Sequence, residues 1–315
     1  MSSLLTNTSA MVALTTLRGI NNDLADTQNR ISTGMRVADA SDNAAYWSIA
    51  TTMRSDNEAL SAVQDALGLG AATVDVAFTA MDSAVDVVSE IKAKLVTATD
   101  DGADKAKIQS DIKELQGQLK TIADSAVFNG ENWLSVDSNA ADYNATASIT
   151  GGFTRNSAGA VTLQSISVDK NATKLFDPAG GTPAGLLDKE LVGLTDLTNI
   201  GGAGTSVHTF DISGLSNDAA DTTTLNELIA SVDSVLSSMT DSATALGSAK
   251  KRVDMQVEFT KNLSDAVDRG IGQLVDADMN AESTRLQALQ TQQQLGIQAL
   301  SIANSGSQNI LSLFR

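Results

Sequence analysis

Apolar residues recur along most of this chain at alternating intervals of three and four. One stripe runs Leu60, Val63, Leu67, Gly70, Val74, Ala77, Met81, Ala84, Val88, Ile91 and Leu95, with every position apolar or small. A second takes Ile108, Ile112, Leu115, Leu119, Ile122 and Ala126. A third runs from Leu225 through Val232, Met239, Leu246 and Val253 to Val267, with Ser242, Gln256 and Thr260 as its polar members. This spacing keeps one helix face apolar and marks helices packed nearly parallel. At 1.5 Å per residue the first stripe implies a rod of roughly 50 Å. Asp100-Asp101-Gly102 predicts a short turn, so the first two rods form an antiparallel pair. Asn129 and Gly130, between Val127-Phe128 and Trp133-Leu134, predict a small β-hairpin with those two residues as its turn.

The character changes between 135 and 221. Glycine pairs appear at 151–152, 180–181 and 201–202, together with both prolines, Pro178 and Pro183. Val161-Thr162-Leu163, Ile166-Ser167-Val168 and Val207–Ile212 (VHTFDI) alternate and predict strands. The stretch is expected to be an inserted β or irregular domain with a well-solvated, acidic surface.

Both ends return to helical spacing with almost no charge. Ala10, Ala13, Leu17, Ile20, Leu24, Thr27, Ile31 and Gly34 form one stripe, and Arg18 is the first charged residue of the chain. Leu286, Leu289, Gln293, Gly296, Leu300, Ala303, Ser307, Ile310 and Phe314 form the other, with Ala288, Leu295 and Ile302 on a second face. No charge occurs from Leu286 to Phe314. An exposed helix normally carries charge on its outer face. A Gln-rich disordered tail and a pair closed within one monomer are two readings of such ends. The regular stripe opposes the first, and two thin helices leave too much apolar surface bare for the second. Association of many copies is the third. Neutral amides hydrogen-bond across crowded interfaces where a charge would cost desolvation. Segments that cannot bury enough surface alone are expected to be disordered in the monomer and to order on assembly. A head-to-tail contact that does not close yields a helical filament.

Composition narrows the chemistry. Aromatics are 3% against 42% hydrophobic residues overall, which suits long Ala/Leu/Val/Ile helices. There is no Cys, and His208 is the single histidine, so no catalytic triad, thiolate site or histidine metal site is expected; catalytic, metal and cofactor residues are all predicted absent. The H-E-x-x-H pattern is missing. A net charge of -17 argues against nucleic acid. The C-terminal run is too rich in Gln, Ser and Asn to span a membrane. Met1 to Leu17 shows neither a basic n-region nor a long apolar stretch, so no cleaved signal peptide is expected.

Several motifs then fall in a recognisable order. Leu24, Thr27-Gln28 and Arg30-Ile31-Ser32-Thr33-Gly34-Met35-Arg36 are followed by Ser41-Asp42-Asn43-Ala44-Ala45; then come Val127-Phe128-Asn129-Gly130, Asp276-Ala277-Asp278-Met279 and the closing Gln308–Arg315, QNILSLFR. Over 1–135 and 222–315 the chain resembles bacterial flagellin, the subunit of the flagellar filament. One departure is Tyr46-Trp47, where the family usually has Gly and a small apolar residue.

The resemblance implies a mainly α fold: long antiparallel coiled-coil-like rods from both chain ends, a small β-hairpin and an inserted outer domain. It divides the chain into a terminal helix and connector (1–45), rods and hairpin (46–134), a variable outer domain (135–221), a C-terminal rod (222–275) and a terminal helix (276–315). Leu17, Ile20, Leu24, Ile31, Leu286, Leu289, Leu295, Leu300, Ile302, Ile310 and Phe314 would line the inner tube of a polymer. Arg30, Arg36, Asp39 and Asp42 would make connector contacts between subunits. Implied partners are further copies, alone or with sister flagellins, an export chaperone on 286–314, the flagellar type III export apparatus, the filament cap and hook-junction proteins. The implied location is the extracellular filament. Glu90 and Lys94 depart from the pattern that an animal innate receptor reads on the first rod, which implies weak detection. A hook–filament junction protein is the nearest alternative, and a coiled-coil adaptor the alternative from another class.

Overall fold

The computed structural model describes residues 7–156, 159–177, 184–194, 200–202, 204–216 and 218–312, with 307–312 as backbone only. Its elements, in order, are α1 (Thr8–Thr33), α2 (Ala44–Thr97), α3 (Lys105–Ser125), β1 (Val127–Phe128), β2 (Glu131–Asn132), β3 (Thr146–Arg155), β4 (Val161–Asp169), α4 (Lys170–Thr173), α5 (Ala219–Val275) and α6 (Met279–Ser312). The architecture is mainly helical, as the sequence pattern predicts. Two compact units emerge: Met1–Glu58 with Leu263–Arg315, and Ala59–Asn262.

In the unit 59–262 the apolar stripes become the core. Every member of the α2 stripe from Leu60 to Leu95 is buried except Gly70, which is half-buried. The α5 stripe is buried at Leu225, Leu228, Val232, Met239, Leu246 and Val253. Asp100 shapes the α2–α3 turn by accepting from the Gly102 amide at 3.3 Å, and Asp104 caps α3 by accepting from the Lys107 amide. Lys94 bonds Asp111 at 2.8 Å near this turn, while the far end of α3, at Ile122 and Ala126, shares a cleft with Asp75–Ser83 of α2. The two helices are therefore antiparallel.

The hairpin pairs Val127 with Asn132 and Phe128 with Glu131. Its turn residues Asn129 and Gly130 have φ of 51° and 84°. A two-residue turn with both central residues at positive φ matches strand twist, and Asn-Gly adopts it at least cost.

Among the described residues of 135–221, the buried apolar side chains join the core of the helices. Ile149, Ile166, Val168, Leu175, Leu187, Phe210 and Ile212 belong to the same buried cluster as the α2, α3 and α5 stripes. β3 pairs antiparallel with β4, which contains both runs predicted as strands. β3 carries the glycine pair 151–152, and the ladder slips between Thr150 and Gly152 as a bulge. The predicted strand Val207–Ile212 is instead a turn at 207–209 followed by irregular chain. Its buried apolar members are Val207, Phe210 and Ile212, which is not an alternation. Its backbone is satisfied by scattered groups rather than by a partner strand: the His208, Phe210 and Asp211 amides bond the Leu187, Ser206 and Ile200 carbonyls, Gln116 of α3 donates to the Val207 and Phe210 carbonyls, and Gln109 accepts from the Ile212 amide at 3.0 Å.

Candidate assembly interface

The unit 1–58 with 263–315 holds both terminal helices. Asn7 caps α1 by accepting from the Ala10 amide at 3.1 Å, and its own amide donates to the Ala303 carbonyl of α6 at 3.0 Å. Gly34 ends α1 at φ 72°, with its N–H on the Arg30 carbonyl. Asp278 caps α6 by accepting from the Asn280 amide at 2.9 Å. Contacts run Asn7 to Ala303, Leu17 to Gly296, Asn21 to Gln293 and Arg30 to Glu282, so α1 and α6 are antiparallel.

Their facing stripes coincide with the sequence stripes. Leu17, Ile20, Leu24 and Ile31 of α1 and Leu286 and Leu300 of α6 are half-buried, and Leu289 is buried at 7% exposure. At Gly296 an added Cβ would stand 2.9 Å from Leu17 Cδ1, so the small residue sets this close approach. The other faces stay bare. Leu295 and Ile302 are 58% and 72% exposed, with Ile297 at 55%, and on α1 Met11 and Val12 are 61% and 67% exposed. The structure thus separates the predicted set. Most of it faces the paired helix, whereas Leu295 and Ile302 point away. The Ile310 side chain and Phe314 lie outside the described residues.

The connector is built from its own polar groups. Asp42 accepts from the Ala38 amide at 2.9 Å and the Asp39 amide at 3.3 Å. Asp39 accepts from the Ser41 hydroxyl and amide, and these bonds hold its carboxyl below the usual range. Arg36 donates its guanidinium to the Leu274 carbonyl at 3.0 Å and its amide to the Val275 carbonyl at 2.6 Å. The Ala277 amide returns a bond to the Gly34 carbonyl at 2.9 Å. Beneath them Ala50, Ile271 and Val275 pack with Met35 and Met53. Asp39 and Asp42 therefore shape one turn, whereas Arg36 reaches the end of α5 and Arg30 sits at the end of α1 against Glu282, 3.5 Å away. Sequence reasoning missed Asn43, whose side chain caps α2 by accepting from the Ala45 and Tyr46 amides, each at 3.1 Å. An Asn directly before a helical run is the signal that would have found it.

His208, in the other unit, meets Phe176 edge-on at 5.2 Å between ring centroids, a packing role. Among the described residues no three His, Cys, Asp or Glu side chains group to hold a metal ion, and no helix is long and apolar enough to cross a membrane. What the geometry of the terminal helices offers is a largely apolar exposed surface for association.

Comparison with known proteins gives a consistent picture. Residues 4–140 match the bacterial flagellin N-terminal helical region, and residues 229–314 match the bacterial flagellin C-terminal helical region. The chain is 47% identical over 398 aligned residues to flagellin A of Rhizobium meliloti (strain 1021) and 49% identical over 326 to flagellin C of that strain. It is 44% identical over 316 to a flagellin of Brucella melitensis biotype 1. Each alignment covers 100% of both chains.

Proposed function

Because the chain belongs to the bacterial flagellin family, it is a structural subunit of the extracellular flagellar filament, and we propose that α1 and α6 carry its assembly contacts. In this reading Leu17, Ile20, Leu24, Ile31, Leu286, Leu289 and Leu300 join the two helices, while Leu295 and Ile302 face other copies. Ile310 and Phe314 extend the same stripe. The supporting observation is the bare apolar surface of the paired helices at Met11, Val12, Leu295, Ile297 and Ile302. Burial gains about 25 cal/mol per Å² of apolar surface, and each repeat of the polymer offers that burial again.

The remaining assignments follow from the same premise. Residues 1–45 and 276–315 form the inner tube and order fully on assembly; 46–134 and 222–275 form the rods, and 135–221 the outer surface. Arg30, Arg36, Asp39 and Asp42 contribute the connector contacts between subunits. The subunit travels unfolded through the flagellar type III export apparatus, with a chaperone shielding 286–314, and adds at the distal tip beneath the cap beyond the hook-junction proteins. Innate detection is weak, because Glu90 reverses a charge and Lys94 replaces an apolar anchor in the detected pattern of the first rod.

Seeding tests the reading directly. Purified monomer added to short filament fragments should elongate them, as seen by electron microscopy. A product limited to a short ring or a defined small oligomer would contradict it.

A further inference from the structure

The first turns of α2 share the peculiarity of the chain ends. From Asn43 to Met53 no side chain is charged, whereas the exposed face further along α2 carries Glu58, Asp65 and Asp82. Tyr46, Trp47 and Ile49 are 42%, 37% and 50% exposed there, and only Ala50 is buried in the first seven residues of the helix. Asn43 caps the helix through Ala45 and Tyr46, so these large side chains stand on a fixed frame. Rigid aromatic side chains lose little conformational entropy when covered and dominate the energetics of protein contacts.

We propose that Tyr46, Trp47 and Ile49 form a second subunit contact, separate from the α1–α6 face, which another copy of this chain covers in the filament. The inference rests on the filament reading. Three observations choose the occupant. A subunit of this polymer always has copies of itself as neighbours. The patch lies in the same unit as the bare faces of α1 and α6, and it shows the same lack of charge over consecutive residues. An open helical polymer also joins unlike surfaces, so the patch meets a different surface on the neighbour and does not pair with itself.

The chain supplies its own reporter. It has two tryptophans, and Trp133 is 3% exposed, with its ring N–H on the Glu131 carboxylate at 3.1 Å. Iodide therefore reaches Trp47 and not Trp133 in the monomer. The experiment compares iodide quenching of monomer and filament, and the critical concentration of the parent with Trp47→Ala and Trp47→Phe. The expected result is a quenchable component in monomer that disappears in filament. Trp47→Ala should raise the critical concentration by about tenfold with unchanged monomer helicity, and Trp47→Phe should restore most of the loss. Filaments in which Trp47 stays quenchable, or a Trp47→Ala protein that assembles like the parent, would overturn this contact while leaving the filament reading intact. Failure of the parent to elongate seeds would overturn the filament reading itself.

Discussion

The side-chain amide of Gln293 in α6 donates to the amide oxygen of Asn21 in α1 at 2.7 Å, so along this part of the pair, in contrast to the Arg30–Glu282 ion pair at its other end, the two terminal helices are joined by neutral groups. Such a bond is worth about 1 kcal/mol, and it lets the surface be covered without the larger cost of burying a charge. Gln293→Glu keeps the shape and adds one negative charge. Assembly at neutral pH is expected to fall by about tenfold or more, as an unpaired charge in a covered interface requires. Recovery should follow as the pH drops below the ordinary glutamate range of about 4.3. Sedimentation of polymer across pH measures both effects.

Arg36 bonds the Leu274 carbonyl near the end of α5. Removing the guanidinium leaves the long helices untouched but loosens the connector. Arg36→Ala is expected to lower the yield of sedimentable filament more than it lowers far-ultraviolet helicity. Equal filament from mutant and parent would rule that role out.

Gly70 and Ile149 key the β3–β4 ribbon to α2. A Cβ on Gly70 would stand 2.3 Å from Ile149 Cγ2, on a side chain that is itself buried and β-branched. Gly70→Ala should therefore destabilise the monomer by about 1–3 kcal/mol, despite the better helix propensity of Ala. With Ile149→Gly already in place all three nearest atoms are removed, and the same substitution should stabilise by up to about 1 kcal/mol. Urea denaturation of the four proteins reads this change of sign.

Asp177 is buried, bonds Lys174 at 2.5 Å and accepts from the Ser138 amide at 3.0 Å. Burial alone would raise its carboxyl, but the Lys174 and Ser138 bonds outweigh it and hold the group at about 2, below the ordinary 3.8. Protons therefore bind the unfolded chain more readily. The stabilisation is fully present above the ordinary value and is lost as the pH falls towards the folded one. Urea midpoints should drop more steeply with acid over that window for the parent than for Asp177→Asn. Parallel slopes would contradict the assignment.

Much of this was legible in the chain, for identifiable reasons. A 3–4 period survives any tertiary arrangement, so Leu60 to Leu95 announces a helix and its buried face together. Asn129-Gly130 announces its turn through backbone preference alone. The two apolar faces of α6 were also separable, with Leu289 inward and Leu295 and Ile302 outward. Val207–Ile212 misled because its backbone bonds go to scattered groups, among them Gln109 and Gln116 about 100 residues earlier in the chain, and not to one partner strand, an arrangement no local pattern encodes. β3 hid behind its glycine pair, which looks like a break until the bulge is seen. The use of Arg36 on the Leu274 carbonyl was equally invisible, because only folding brings residues 238 positions apart together.

Hydrogen–deuterium exchange of 8–33 and 279–312, compared between monomer and filament, tests the association of the terminal helices most directly. The account predicts fast exchange in the monomer and strong protection in the filament, greatest around Leu295 and Ile302. Equal protection in both states, or slow exchange in a protein that stays monomeric at every concentration, would contradict it.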